Sequence, residues 1–131
     1  DRALDIFSFY TVALNSKGLC LAKLERYEEA IQCFDKSLRA DRKDVSTWNQ
    51  KGFTLYIQKK YSEAIECFNK ALELDDSNAE IWNNKGLALT GLNEYKDAIK
   101  CYDRALELEP EFKEACENRD ETLKILKEGE K

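Results

Sequence analysis

The stretch VSTWNQKGFTLYIQKKYSEAIECFNKALELDDSN, residues 45–78, decides the fold. Its apolar places recur at three- and four-residue spacing, as at Tyr61, Ala64, Ile65, Phe68 and Leu72, with no run of strict alternation, which is the signature of helix. Moved by its own length in either direction, it aligns without gaps on Thr11–Asp44 and on Ala79–Phe112. The eighth place is then Gly18, Gly52 and Gly86, the seventeenth Tyr27, Tyr61 and Tyr95, and the twentieth Ala30, Ala64 and Ala98. Cys33, Cys67 and Cys101 follow, then an aromatic at Phe34, Phe68 and Tyr102, then Leu38, Leu72 and Leu106. An internal repeat of this length settles the architecture before any local assignment, because each unit is one supersecondary element stacked on the next.

Two helices per unit follow. The pattern predicts first helices over Val12–Leu24, Ser46–Gln58 and Glu80–Leu92, and second helices over Tyr27–Ala40, Tyr61–Leu74 and Tyr95–Leu108. Asp44 and Asn78 precede helix starts, Ser77 with Glu80 reads as a capping box, and Pro110 sits beyond a helix end. The small residues suggest how the helices pair: Gly18 with Ala30, Gly52 with Ala64 and Gly86 with Ala98 would let two backbones approach closely. Larger side chains there would overpack by about 1–3 kcal/mol.

The set Trp48, Gly52, Leu55, Tyr61, Ala64, Phe68 and Ala71, with its counterpart Trp82, Gly86, Leu89, Tyr95, Ala98, Tyr102, Ala105 and Pro110, resembles the tetratricopeptide repeat. The resemblance runs over residues 11–112 and implies an all-α superhelix, a solenoid of antiparallel helical hairpins. Its repeats would be 11–44, 45–78 and 79–112, preceded by a stub at 1–10 and closed by a capping helix at 113–131. Some places depart from the family pattern. Leu14 stands for Trp, Ser37 for Ala, Lys17, Lys51 and Lys85 for Leu, and Glu25, Lys59 and Asn93 for the turn Gly.

The ends differ from the middle. Asp1-Arg2-Ala3-Leu4-Asp5-Ile6 falls in register with Asp103-Arg104-Ala105-Leu106-Glu107-Leu108, and Met is absent, so a piece of a longer array is expected. Where the other units carry the polar turns Asp41-Arg42-Lys43-Asp44 and Asp75-Asp76-Ser77-Asn78, this end has Phe7-Ser8-Phe9-Tyr10. Either these aromatics pack in a loop, or the stub and the following helix fuse into one helix whose apolar side favours self-association. From Lys113 onwards Lys and Glu become frequent, as a solubility cap requires.

Composition narrows the chemistry. Twenty-one Lys and Arg against 26 Asp and Glu give a net charge of −5, so the long-range field repels nucleic acid. No apolar run reaches the length that a membrane-spanning helix needs. With no His there is no His-dependent triad or His-bearing zinc site. Five cysteines without a Cys-x-x-Cys pair read as free thiols in a reducing compartment, hence cytoplasmic, with Cys20 and Cys116 as packing residues. The tyrosines and tryptophans recur in register with packing residues and read as core. Carboxylates alternate with Lys and Arg as on a solvated face. No phosphate loop or nucleophile motif appears. No enzyme, metal or cofactor is expected within this segment.

Stacked hairpins curve, and their first helices line the concave side. The resemblance implies a peptide groove there, lined in register by Asn15, Leu19 and Lys23, by Asn49, Gln50, Phe53 and Tyr56, and by Asn83, Asn84 and Leu87. Amides once per repeat at Asn15, Asn49 and Asn83, beside an apolar row of Leu19, Phe53 and Leu87, suit a ligand held by its main chain and a few apolar anchors. The competing reading has these amides bonding neighbouring helices. One branch of the family clamps the terminal carboxylate of heat-shock chaperones with Lys, Asn and Arg. Here Asn15 stands for Lys, Leu19 for Asn, a buried Glu80 for Lys and Asn84 for Arg, which argues against that ligand. The Lys17, Lys51 and Lys85 series is either an anion strip or a set of stems covering apolar surface. The function expected is a protein-interaction scaffold, or else a regulatory or targeting segment of a larger enzyme.

Overall fold

The computed structural model describes residues 2–129. Seven helices occupy them: α1 Arg2–Lys23, α2 Tyr27–Ala40, α3 Val45–Ile57, α4 Tyr61–Leu74, α5 Ala79–Gly91, α6 Tyr95–Leu108 and α7 Lys113–Gly129. The second helices α2, α4 and α6 keep the bounds read from the sequence, and α3 and α5 start and stop one residue earlier than expected. Residue 1 of the stub and residues 130–131 of the cap lie outside the described residues.

Each helix packs on its neighbours in chain order. First helices also touch one another along the stack, α1 with α3, α3 with α5 and α5 with α7. No Cα of α2 comes within 8 Å of α4, nor any of α4 within 8 Å of α6. The stack is therefore tighter on the first-helix side, and that side is concave.

Within a hairpin the glycine makes room for a ring. A Cβ placed on Gly18 would lie 2.5 Å from the Phe34 ring, on Gly52 2.6 Å from Phe68, and on Gly86 2.5 Å from Tyr102. The nearest neighbour of each glycine is thus an aromatic ring rather than Ala30, Ala64 or Ala98. The alanines are fully buried core residues, but the aromatic four places further on fills the space above each glycine. Phe34, Phe68 and Tyr102 are all 0% exposed.

The turn between the two helices closes the same way three times. Arg26 N–H donates to Leu21 C=O, Lys60 N–H to Leu55 C=O and Glu94 N–H to Leu89 C=O, each at 2.9 Å. This is the bond pattern of a Schellman cap. It requires a left-handed residue, and Glu25, Lys59 and Asn93 supply it at φ of 62°, 64° and 64°. The family's turn geometry is kept without its glycine. Glu25→Gly and Lys59→Gly should each raise stability by about 0.5–1 kcal/mol, and Asn93→Gly by less, since Asn tolerates this region. Denaturation midpoints measure it, and a fall for the first two would contradict it.

Between repeats, Asp44 caps α3 by accepting from Thr47 N–H at 3.3 Å, and Asn78 caps α5 by accepting from Glu80 N–H at 3.0 Å. The capping box expected at Ser77 with Glu80 does not form: Ser77 Oγ donates to Asp75 Oδ1 inside the preceding turn instead. Trp48 Nε1 donates to Arg42 C=O and Trp82 Nε1 to Asp76 C=O, each at 2.8 Å, so each tryptophan pins the turn ahead of it. Both indoles are half-buried and pack against the core from its edge, as Tyr61 does, and Tyr27 and Tyr95 are half-buried likewise.

At the amino end the fused alternative is the one observed: α1 runs unbroken through the place where the other units turn. No Gly or Pro falls between residues 2 and 17, and Ile6 and Phe9, 69% and 77% exposed, do not pack in a loop. Ala13 is exposed where its counterparts Thr47, Ile81 and Ala115 are fully buried, because among the described residues no second helix folds back onto that face of α1.

Candidate functional site

The concave face is built from α1, α3 and α5. Leu19 and Phe53 sit one repeat apart, 40% and 41% exposed, with Leu87 half-buried in the same row. Ile57, one turn beyond Phe53, is 41% exposed. The Phe53 and Tyr56 rings lie 5.9 Å apart, and Tyr56 lies 5.8 Å from Tyr61. Burial, and then the neighbouring Tyr61, push the Tyr56 hydroxyl above its ordinary value, so it stays a neutral donor. A Cβ on Gly91 would lie 2.6 Å from the Tyr61 ring. That contact seats the third repeat on the second. Sequence reasoning passes over Gly91, although its register place is Lys23 and Ile57 elsewhere and the missing side chain is a visible signal.

The amides behave differently from the apolar row. Asn84 Nδ2 donates to Asn49 Oδ1 and Asn118 Nδ2 to Asn83 Oδ1, each at 3.0 Å. Asn15 Oδ1 accepts from Thr47 Oγ1 at 2.8 Å, and Asn15 Nδ2 donates to Asp44 Oδ2 at 3.3 Å. The amide ladder therefore ties each first helix to the next. Asn83 and Asn84 are 2% and 5% exposed. As open groove groups they are corrected: the competing reading, bonds to neighbouring helices, is what these residues do. Gln50 stands where Asn84 and Asn118 stand in later units, but its longer side chain donates to Ser46 Oγ at 3.2 Å and leaves Oε1 without a partner. Lys23 is exposed at the end of α1. Glu80, expected to be buried, is exposed, because it sits in the first turn of α5 directly beside its Asn78 cap.

Lys51 and Lys85 turn away from this face. Lys51 Nζ lies 2.8 Å from Asp35 Oδ1 and 5.9 Å from the centre of the Trp48 ring, and Lys85 Nζ lies 5.8 Å from Trp82. Their stems cover the indoles, as the packing alternative held. Lys17, in the unit that has Leu14 in place of Trp, is exposed.

All five cysteines are free. Cys33, Cys67 and Cys101 are buried, and burial raises the Cys67 thiol to about 11 and Cys101 in the same direction. Cys20 and Cys116 are exposed, which corrects their reading as packing residues. Cys20 lies on the side of α1 left uncovered, and Cys116 faces outward on α7, where its Sγ lies 3.9 Å from Asp120 Oδ2. Native thiol labelling should modify these two at once and the other three only on unfolding; early labelling of Cys67 would contradict the packing described. Among the described residues no group of three His, Cys, Asp or Glu side chains is placed to hold a metal ion. No helix among them is long and apolar enough to cross a membrane.

The sequence matches the family model described as Tetratricopeptide repeat over residues 11–44 and 79–112, and a second, described as TPR repeat, over residues 52–92. No curated protein matches it. Among solved structures it is similar to the first TPR of Spaghetti (RPAP3) bound to the HSP90 peptide SRMEEVD, at 29% identity and a TM-score of 0.88, covering 91% of this chain and 94% of that one. The first TPR domain of human RPAP3 is similar at 29% identity and a TM-score of 0.89, covering 92% and 95%. The Sgt2 TPR domain from Aspergillus fumigatus shares the fold at 19% identity and a TM-score of 0.88, covering 92% and 81%.

Proposed function

The chain belongs to the tetratricopeptide repeat family, and from that premise we propose that it is a non-catalytic protein-interaction scaffold that holds a peptide segment of a partner along its concave face. The observation that carries the reading is the exposed apolar row of Leu19, Phe53 and Ile57 on the inner helices of an otherwise charge-rich chain. Apolar side chains left open in a concave, rigid frame are where hot spots form. The bound HSP90 peptide of the RPAP3 relative supports a peptide as the class of ligand. Its acidic tail does not suit this groove, because Asn15 is engaged by Thr47 and Asp44 and Glu80 adds a negative charge at the rim. The ligand is therefore an apolar-anchored segment gripped by Leu19, Phe53, Tyr56 and Leu87, with Lys23 at one end; the amides Asn15, Asn49, Asn83 and Asn84 hold the frame, and Gln50 is the one amide of the set with a free buried acceptor. On this reading residues 11–44, 45–78 and 79–112 are the binding repeats and α7 is the cap. Five free thiols suit a reducing, cytoplasmic setting. Peptides selected from a random library on the intact chain test the reading: Phe53→Glu should abolish capture, and retention at wild-type level would overturn it.

We further infer that the chain self-associates through the amino-terminal half of α1. Ile6, Phe9, Tyr10 and Val12 are 69%, 77%, 52% and 60% exposed within two turns of one helix. Exposed apolar side chains clustered in this way mark interaction surfaces. Sedimentation at high micromolar concentration should show a dimer that Phe9→Lys dissociates; a wild-type monomer throughout would contradict it.

A further inference from the structure

On the convex side, between the first and second repeats, lies a cleft of about 640 Å³ bounded by the end of α2, the turn that follows it, α3 and α4. Its apolar surface comes from Leu38, Trp48 and Leu74. Its mouth carries Arg39, Arg42 and Lys43, and Lys70 stands on the opposite wall. Trp48 fixes the shape, since its Nε1 bond to Arg42 C=O holds the turn that presents Arg42 and Lys43. Lys51 is spoken for by Asp35 at 2.8 Å. Among the described residues Arg39, Arg42 and Lys43 form no ion pair with a carboxylate.

The repeat supplies an internal control. One unit further on, the same architecture recurs, with Trp82 Nε1 bonded to Asp76 C=O. There the places of Arg39, Arg42 and Lys43 are taken by Glu73, Asp76 and Ser77. Five cations and two anions line the first cleft, a net of +3. At the equivalent places of the next junction two cations, Lys85 and Arg104, face three anions, Glu73, Asp76 and Glu107, a net of −1. The tryptophan bond that holds the turn forms with either set, so it does not require the cations. A net of +3 gathered around an apolar floor, in a chain of net charge −5, attracts an anionic segment from outside.

We propose that this cleft is a second docking site, separate from the concave groove, for an acidic peptide segment carrying an apolar side chain. The apolar residue would rest on Leu38, Trp48 and Leu74, with carboxylates at Arg39, Arg42 and Lys43; the two guanidinium forks suit bidentate pairing. A long polyanion such as nucleic acid is disfavoured. It extends beyond the roughly 8 Å over which the cleft's own field acts at physiological salt and meets the acidic remainder of the surface.

The test is fluorescence anisotropy of a short labelled peptide alternating Asp and Glu with Leu and Phe, titrated with the full chain. The competing ligand is a single-stranded oligonucleotide. The triple variant R39E/R42D/K43S transplants the residues of the next junction, and circular dichroism checks that it folds. Binding should weaken by at least about tenfold in this variant, and likewise when salt is raised to about 0.5 M. Phe53→Glu should leave it unchanged, which separates this cleft from the groove reading. Four results would overturn the proposal: no binding by the wild type up to about 1 mM, wild-type affinity in the triple variant, loss of binding in Phe53→Glu, or equal competition by the oligonucleotide.

Discussion

Phe68→Ala is expected to cost about 3–5 kcal/mol, a large share of the stability of a domain this size. The ring is 0% exposed and belongs to the cluster of Leu55, Ala64, Ile81 and Ala88 that joins the second hairpin to the third. It also fills the space that Gly52 leaves open, and Gly52 has no side chain to collapse into the hole. Phe34 is equally buried but lies in the terminal unit, in a cluster confined to α1 and α2. In a nearest-neighbour stack the loss of a middle unit uncouples both sides, whereas the loss of an end unit frays one. Urea denaturation should therefore show a broadened or split transition for Phe68→Ala and a single, shifted one for Phe34→Ala. Gly52→Ala tests the same contact from the other side. Alanine favours helix by about 0.5–1 kcal/mol. Its Cβ would nevertheless lie 2.6 Å from a ring that cannot retreat, so overpacking wins and a net loss is expected. Gly129→Ala, with nothing within 4 Å, should not destabilise. Equal results at the two glycines would remove the ring-over-glycine account.

Phe53→Glu carries the largest functional effect. A central apolar anchor contributes about 2–4 kcal/mol to binding, so affinity for a groove-selected peptide should fall roughly 30- to 1,000-fold. Stability should fall much less. The side chain is 41% exposed, and what it gives up is its ring contact with Tyr56 at 5.9 Å. Such a pair contributes about 0.5–1.5 kcal/mol. Phe53→Leu should keep most of the affinity. If affinity and stability fell together by the same amount, Phe53 would be a packing residue and the groove would lie elsewhere.

The helices are legible because each second helix carries its own start at Tyr27, Tyr61 and Tyr95 and a one-sided apolar pattern that ends at a polar turn. Partnership across space is what a single sequence leaves open. Gly18 and Ala30 are both small and invite pairing, yet a small residue announces only that something fills its space, and the filler is Phe34. Asn49 and Asn83 recur in register, and recurrence is equally consistent with a ligand and with a neighbouring helix. Their bonding partners Asn84 and Asn118 lie 35 residues on, one place off that register, so aligning like places does not pair donor with acceptor. Ser77 and Asn78 are both capping residues, and the choice between them rests on Asp75, whose carboxylate takes the Ser77 hydroxyl and leaves Asn78 to accept from Glu80. Cys20 shares its register place with buried Thr54 and is exposed, since burial depends on the units stacked on either side. For the candidate site, register and curvature alone place Leu19, Phe53 and Leu87 in one row on the first helices. The convex cleft is not, because its charge contrast means little until the two junctions are seen to share one frame.

The central claim is that the open side of the first helices holds the partner. A library-selected peptide carrying a photo-cross-linker, bound to the intact chain and mapped by mass spectrometry, tests it most directly. Cross-links should fall on α1, α3 and α5 around Leu19, Phe53 and Leu87. Cross-links confined to α2, α4 and α6 would contradict it.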